Sequence, residues 1–455
     1  MVFGIEGRSV VGNLRNVVSW SSRLAGLACL CVYYLAGEVS AQDPAAAPPV
    51  VPPPAAAPVT YAAPRITKDD VQKWNSGRQV KFQTALRAIA PTNAETKELV
   101  DGANLFVDRM TLPENLANLQ RNVIGKAKAP VENQLTNPAP KLILLKALTA
   151  RSVELLAETP PHHPDVQLGL VILLESLNAQ VVVVPPSSVP YSGTFKALIG
   201  VLESPTSPLQ CRIHAAIGLG RIGRDAVVGV PGGDLSVVQR NEIAAALAKA
   251  LLATESQGLD DGKVWFRGSV AEALGDCGVA FDLNGGSGFI DALLDTATKP
   301  TEHLRVRASA LRASTQLNWN GTTNVPLILH ETAELVLEVA QGYNAAVAAK
   351  KGLANADFPH ANMDLYLCFQ PVTAVQANTL KWGLLNQIAR PGIGQHGPAV
   401  KAAYAAALPV IQHIVSNPKT PVAIPAAHIA ALDAWIKANV PTDRKPTIAS
   451  PQAVP

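Results

Sequence analysis

Apolar residues recur at intervals of three and four positions along most of the chain between residues 65 and 440. Such intervals occur at Leu99, Ala103, Phe106 and Met110, and again at Val400, Tyr404, Ala407 and Ile411. Because about 3.6 residues make one helical turn, these positions share one helix face. Thr67, with Asp70 three residues later, has the spacing of a helix-starting capping box. The pattern predicts an all-α protein, in which the strand-like run Val181–Val184 is an extended connector.

Three stretches of the chain, residues 211–223, 266–278 and 306–318, align with one another without gaps. Each begins with an apolar residue followed by arginine, and each is preceded by an amphipathic segment and a turn, so each predicts a helical hairpin. The eighth position is small in every copy, where it is Gly218, Ala273 and Ala313. The first two copies end with Gly223 and Gly278, which suit left-handed helix caps.

These stretches resemble the HEAT-like repeat first described in phycobilin lyases, whose second helix carries the pattern V-R-x-A-A-x-A-L-G-x-I-G. The resemblance covers residues 194–318. The third copy departs from the pattern at Ser314, Thr315 and Asn318, so its helix end is expected to differ. Residues 164–178, with Gln167 in place of the arginine, form a candidate degenerate copy. The resemblance implies an α-solenoid of stacked hairpins that serves as an interaction scaffold, and it implies no lyase activity.

The first 41 residues have the features of a secretory signal peptide. Three arginines precede an apolar run from Leu24 to Leu35, and Val39-Ser40-Ala41 provides the small residues of a cleavage site. At about 1.5 Å per residue, the run spans roughly 18 Å, which is too short for a bilayer core of about 30 Å. We expect cleavage after Ala41 and a secreted, periplasmic or cell-envelope location. The alternative is an uncleaved anchor.

A proline- and alanine-rich linker follows the predicted signal. Eight of the 23 residues from 42 to 64 are proline and eight are alanine, which favours a semi-rigid polyproline II segment. The remaining predicted divisions are an N-terminal helical region with candidate degenerate repeats (65–193), the HEAT-like repeats (194–323), a C-terminal helical region without the motif (324–440) and an irregular tail (441–455). We expect the two helical regions to extend or cap the solenoid.

Composition and charge narrow the class of protein. Hydrophobic residues make up 48% of the 455 residues, which excludes a wholly disordered chain. The formal net charge is only +3, so we expect no nucleic-acid partner. No later apolar stretch is long enough, without charge or proline, to predict a membrane span after signal cleavage. Cys211, Cys277 and Cys368 lack C-x-x-C spacing and are predicted to be buried, with one disulfide and a free thiol as the alternative.

Several short motifs suggest chemistry but fit it poorly. Residues 218–223 match G-x-G-x-x-G, yet no strand-like run precedes them, so we expect a helix end and not a nucleotide-binding turn. The segment Asp282–Gly288 begins like a calcium loop, but Leu293 occupies the position of the bidentate glutamate. His162-His163 lie in a proline-flanked loop, where adjacent histidines rarely converge on one ion without further ligands, and His330-Glu331 lacks the second histidine of an HExxH motif, because Glu334 occupies that position. We therefore predict no catalytic residue, no metal site and no cofactor, and a protein that is not an enzyme.

The aligned arginines Arg212, Arg267 and Arg307 are the candidate functional residues. At the second position of successive helices they would form a ladder, which either joins neighbouring repeats or binds an acidic partner. We predict a non-enzymatic extracytoplasmic scaffold that binds a protein or peptide. The alternatives are a metal-dependent enzyme or binder, in the C-terminal helical region or at His162-His163, and a structural envelope component. The sequence does not specify the oligomeric state.

Overall fold

The apolar spacing of the sequence corresponds to helices in most of the described chain. The computed structural model describes residues 60–133, 136–181, 188–253, 260–349, 357–369, 383–390, 392–416 and 421–446. The predicted signal peptide and linker residues 42–59 lie outside these ranges. The described residues are mostly helical, which confirms the all-α class, although a short two-stranded ribbon is also present.

The helices fall into three groups along the sequence. The first group is α1 Lys68–Gly77, α2 Gln79–Ala85, α3 Asn93–Asp108, α4 Gly125–Glu132, α5 Pro138–Leu156 and α6 Pro164–Ser176, with 3-10 and π turns between α3 and α4. The second group is α7 Phe195–Glu203, α8 Leu209–Asp225, α9 Val237–Ala253, α10 Asp261–Cys277, α11 Gly288–Thr298 and α12 Leu304–Ser314. The third group is α13 Val325–Ala348, α14 Asp357–Phe369, α15 Leu384–Gln387, α16 Gly397–Ser416 and α17 Ala426–Ala438.

Local sequence signals account for several helix ends. Thr67 and Asp70 form the predicted capping box at the start of α1, in which each residue binds the other's backbone N–H. Gly278 ends α10 with φ of 67°, the left-handed conformation predicted for it. The helix of the third aligned copy ends early, at Ser314, where its sequence departs from the repeat pattern.

The aligned stretches lie in helices that are neighbours in space. Helix α8 packs against α10, α10 against α12, and α12 against α14, while α6 lies on the other side of α8. The preceding helices α7, α9, α11 and α13 contact one another in the same order. Each hairpin therefore contributes one helix to each of two adjoining rows.

Glycines set the distance between successive helices of the second row. A β-carbon added at Gly220 would lie 2.8 Å from Ala273 Cα, and one at Gly275 would lie 2.8 Å from Ala313 Cα. The prediction for Gly223 was wrong: α8 continues to Asp225, so this glycine is not a cap. A β-carbon there would meet Cys277 Sγ at 2.7 Å, so Gly223 also serves the close approach of α8 to α10.

The described core consists of two clusters of buried apolar residues. One extends from Trp74 to Tyr191, and the larger one extends from Val171 to Ile436. Within the larger cluster, α16 packs its buried face against α13 and α14. The segment Gly394–Ser416 is long and apolar enough to cross a membrane by length and composition alone.

Cys211, Cys277 and Cys368 are buried and unpaired, as predicted. Burial raises the pKa of the Cys211 thiol to about 11 and that of Cys277 to about 12. These thiols act as small apolar side chains of the core.

The antiparallel ribbon pairs β1 Asn178–Gln180 with β2 Val189–Pro190. The strand-like run Val181–Val184 follows β1, but all of it except Val181 lies outside the described residues. The described part of the predicted tail is irregular. It is held against the fold because the Asn324 side chain donates hydrogen bonds to the carbonyls of Asp443 and Lys445.

Candidate functional site

The three aligned arginines all bind the end of the helix that precedes their own. Arg212 Nε donates to Leu202 O at 3.0 Å, Arg267 Nη1 to Leu251 O at 2.7 Å, and Arg307 Nε to Ala297 O at 2.9 Å. The last carbonyls of a helix lack partners within the helix. Each arginine therefore joins the two helices of its own hairpin.

The same arginines also contact the next hairpin. Arg267 Nη2 pairs with Glu302, whose side chain is fully buried, and Arg307 Nη1 pairs with Glu338 at 2.7 Å. Arg212 has no carboxylate partner among the described residues, and its guanidinium lies 4.6 Å from the centre of the Phe266 ring. Burial lowers the pKa of Arg212. The guanidinium groups thus lie between hairpins, where these contacts are of the kind that hold repeats together.

A different set of polar side chains, most of them only partly exposed, lies along the second row. We call it the polar face, and it consists of Glu175 of α6, His214 and Arg224 of α8, Glu272 and Asp276 of α10, Arg312 of α12 and Asp364 of α14. A polar contact crosses each junction of the row. His214 Nδ1 lies 2.7 Å from a Glu175 oxygen, and ion pairs join Arg224 to Asp276 at 3.2 Å, Arg312 to Glu272 at 3.5 Å and Arg312 to Asp364 at 2.8 Å. The charges of neighbouring helices are therefore matched from α8 to α14.

The polar face contains a groove where α10, α12 and α14 meet. We call it the Trp265 groove, and its volume is about 320 Å³. It is lined by Val264, Trp265, Gly268, Ser269, Glu272, Arg305, Ser309, Arg312, His360, Met363 and Asp364. Two of these apolar side chains are unusually accessible, since Trp265 is 53% exposed and Met363 is 44% exposed. The groove therefore combines an apolar rim with charged groups.

Arg312 organises the charged part of the groove. It binds Asp364 and Glu272, and Ser309 Oγ donates to the second oxygen of Asp364 at 2.8 Å. Burial alone would lower the pKa of Arg312, but the two carboxylates outweigh that effect and hold its pKa above the ordinary value. Its Nε is buried and lacks a hydrogen-bond partner within the described residues. The groove thus holds a fixed positive charge between two acids.

Sequence reasoning missed this groove because its residues are not shared among the three copies. The seventh aligned position is Ile217, Glu272 and Arg312 in turn, and Trp265 lies one residue before its aligned stretch. Alignment finds what repeats have in common, whereas the groove depends on how they differ. The only available signal was a tryptophan at a position where the other copies have Gln210 and Arg305.

The histidines of the two motifs have contacts with nearby residues. His162 is buried with Nε2 2.9 Å from a Glu158 oxygen, and Glu158 also pairs with Arg65. The Nδ1 atom of His163 accepts a hydrogen bond from the Asp165 N–H at the start of α6. His330 Nε2 lies 3.1 Å from Glu334. Across the ranges that the structure describes, no three His, Cys, Asp or Glu side chains are grouped in a way that could hold a metal ion.

The other two motifs, residues 218–223 and Asp282–Gly288, also form ordinary local structure. Residues 218–223 lie inside α8, with no strand leading into them, so they do not form the junction that a phosphate-binding turn needs. Asp282 Oδ1 accepts hydrogen bonds from the N–H groups of Asn284 and Gly286, both at 2.8 Å, and so stabilises its own turn.

Comparison of the chain with models of protein families, with curated proteins and with solved structures gives no match.

Proposed function

We propose that this protein is a non-enzymatic, extracytoplasmic scaffold that binds a protein or peptide partner on a solenoid of HEAT-like hairpins. The paired rows of helices, the glycine seams and the arginines that repeat in each hairpin support this architecture. The extracytoplasmic location rests on the signal-like features of residues 1–41.

The Trp265 groove is the observation that carries the binding function. Three successive helices of the second row contribute to it, so it depends on their stacking. Tryptophan and arginine are among the residue types that most often dominate binding energy at protein interfaces. Water contacts more than half of the Trp265 side chain, and a partner that covered it would gain the free energy of burying that apolar surface.

The groove fits a partner segment that has an apolar side chain next to a charged one. The apolar side chain would pack on Trp265 and Met363. The charged side chain would bind beside Arg312, whose present partners Glu272 and Asp364 lie on two different helices. Matched charge of this kind chiefly supplies specificity.

Quantitative affinity capture from envelope extracts tests the proposal, with Trp265→Ala compared against Leu283→Ala. Leu283 is a matched control, because it is 57% exposed and lies in the turn between α10 and α11, outside the groove. We expect a partner whose recovery falls about tenfold or more with Trp265→Ala and is unchanged with Leu283→Ala. Equal recovery with both variants would contradict the assignment of this groove.

A photo-crosslinking residue at position 265 or 283 gives a second readout that retains weak partners. We expect a partner adduct from position 265 and none from position 283. Thermal midpoints within about 1 °C of the unmodified protein would show that either change leaves the fold intact, as expected for exposed side chains. Adducts that form equally at both positions would argue against a site on the polar face.

A further inference from the structure

A second concavity lies far along the chain from the Trp265 groove, beside the first turn of α5. We call it the Lys141 cleft, and its volume is about 500 Å³. This volume is within the range of small-molecule sites, about 300–1,000 Å³. Its apolar lining comes from α5, β1 and the loop that follows α8, and includes Leu142, Leu145, Ala179, Val230 and Pro231.

Lys141 supplies the positive charge of the cleft. Its side chain is partly buried, and burial lowers the pKa of its ammonium group, an effect that Glu132 opposes. Glu132 lines the same cleft, but its carboxylate has partners of its own, because the Oε1 atom lies 3.0 Å from Lys128 Nζ and accepts from Asn178 Nδ2 at 3.4 Å. Among the residues that the structure describes, none forms an ion pair or hydrogen bond with Lys141 Nζ.

A partly desolvated ammonium group without a partner is stabilised by an anion that enters the same cleft. The surrounding side chains are mostly apolar, so they favour a ligand whose remaining part is aliphatic. The loop after α8 is held in place by hydrogen bonds from Val227 N to Gly233 O at 3.0 Å and from Ser192 N to Gly232 O at 2.8 Å. This wall of the cleft is therefore formed before any ligand binds.

We infer that the Lys141 cleft binds a small aliphatic carboxylate, with its carboxylate on Lys141 Nζ and its chain against Leu142, Leu145 and Val230. This site is independent of the proposed partner site, since the two share no lining residue. Loss of one would leave the other in place.

Isothermal titration of the purified protein with octanoate and with octanamide tests the inference. The two probes have the same chain length, and only octanoate is charged. We expect octanoate to bind about tenfold more tightly than octanamide, with that preference lost in Lys141→Met. Lys146→Met is the matched control, because Lys146 is exposed on the same helix and does not line the cleft. Equal binding of the two probes, or a preference that survives Lys141→Met, would overturn the inference.

Carbon NMR of lysine-labelled protein measures binding on the unmodified chain, and a variant is needed only to assign the resonance. Addition of octanoate should shift the ε-carbon resonance of Lys141, assigned with Lys141→Arg, and leave that of Lys146 in place. A Lys141 signal that does not respond to saturating octanoate would also overturn the inference.

Discussion

The first helical group and the repeat hairpins use glycine for different purposes. In the first group, a β-carbon at Gly102 would lie 2.5 Å from the Phe82 ring, which packs edge-on against Trp74 and Phe106. In the repeats, a β-carbon at Gly275 would lie 2.8 Å from the backbone of α12. The first glycine makes room for a side chain, and the second makes room for a helix.

This difference predicts how the two regions respond to substitution of these glycines. A ring can be replaced by a smaller side chain, so the packing around Gly102 can be adjusted by one further substitution. The backbone of a helix cannot be made smaller by substitution. Each repeat helix is also held by an arginine that binds the preceding helix. The repeat region should therefore be the less tolerant of the two.

The largest effect is expected for Arg267→Met. This substitution leaves the Glu302 carboxylate buried without its ion-pair partner, and we expect the free energy of unfolding to fall by about 3–5 kcal/mol. Chemical denaturation measures the loss. The double variant Arg267→Met with Glu302→Gln should recover part of it, because the stranded charge is gone. A loss below about 1 kcal/mol for Arg267→Met would contradict the structural role of the ladder.

A smaller effect is expected for Gly275→Ala, which forces α10 away from α12 and should lower the free energy of unfolding by about 1–3 kcal/mol. Gly268→Ala, on the same helix, is the control. A β-carbon at Gly268 would lie 3.8 Å from Ser309 Oγ, so alanine there should stabilise the helix by about 0.5–1 kcal/mol. Opposite signs of the two changes in the free energy of unfolding would separate the close contact of Gly275 with α12 from an effect of helix propensity. Changes of equal sign would contradict the role of that contact.

The smallest of the three effects is expected for Gly102→Ala, at about 1–2 kcal/mol, because the buried Phe82 ring must move. In a Phe82→Leu background the same change should be nearly neutral, which a double-mutant cycle measures. Ala313→Gly should give no such rescue of Gly275→Ala, since the Ala313 Cα remains. A similar coupling free energy for the Gly102–Phe82 pair and the Gly275–Ala313 pair would contradict the proposed difference between the two regions.

The aligned stretches point to part of the helix packing. The eighth-position residues, which are small in every copy, lie against the neighbouring helix, where Ala273 meets Gly220 and Ala313 meets Gly275. The tenth-position glycines, Gly220 and Gly275, were visible in the alignment, but their role became clear only when the facing helix was known. Gly223 was misassigned because a terminal glycine in a pattern does not show whether the helix stops there.

Contacts between distant residues were beyond sequence reasoning. Glu302, the partner of Arg267, lies in the turn before the next second-row helix, outside every aligned stretch. Lys141 and Val230 meet in one cleft although 89 positions separate them. Neither pairing follows from local periodicity, because each depends on how the hairpins stack.

The burial of the cysteines gives the molecule an internal reporter of its own opening. Cys277 lies directly under Gly223 at the α8–α10 junction, and its thiol is shielded and protonated there. Alkylating reagents need an accessible thiolate, so they can react only when adjoining hairpins separate. The rate of labelling at Cys277 can be compared with the rates at Cys211 and Cys368. The comparison measures how often the helices around each cysteine separate in solution, with no added probe.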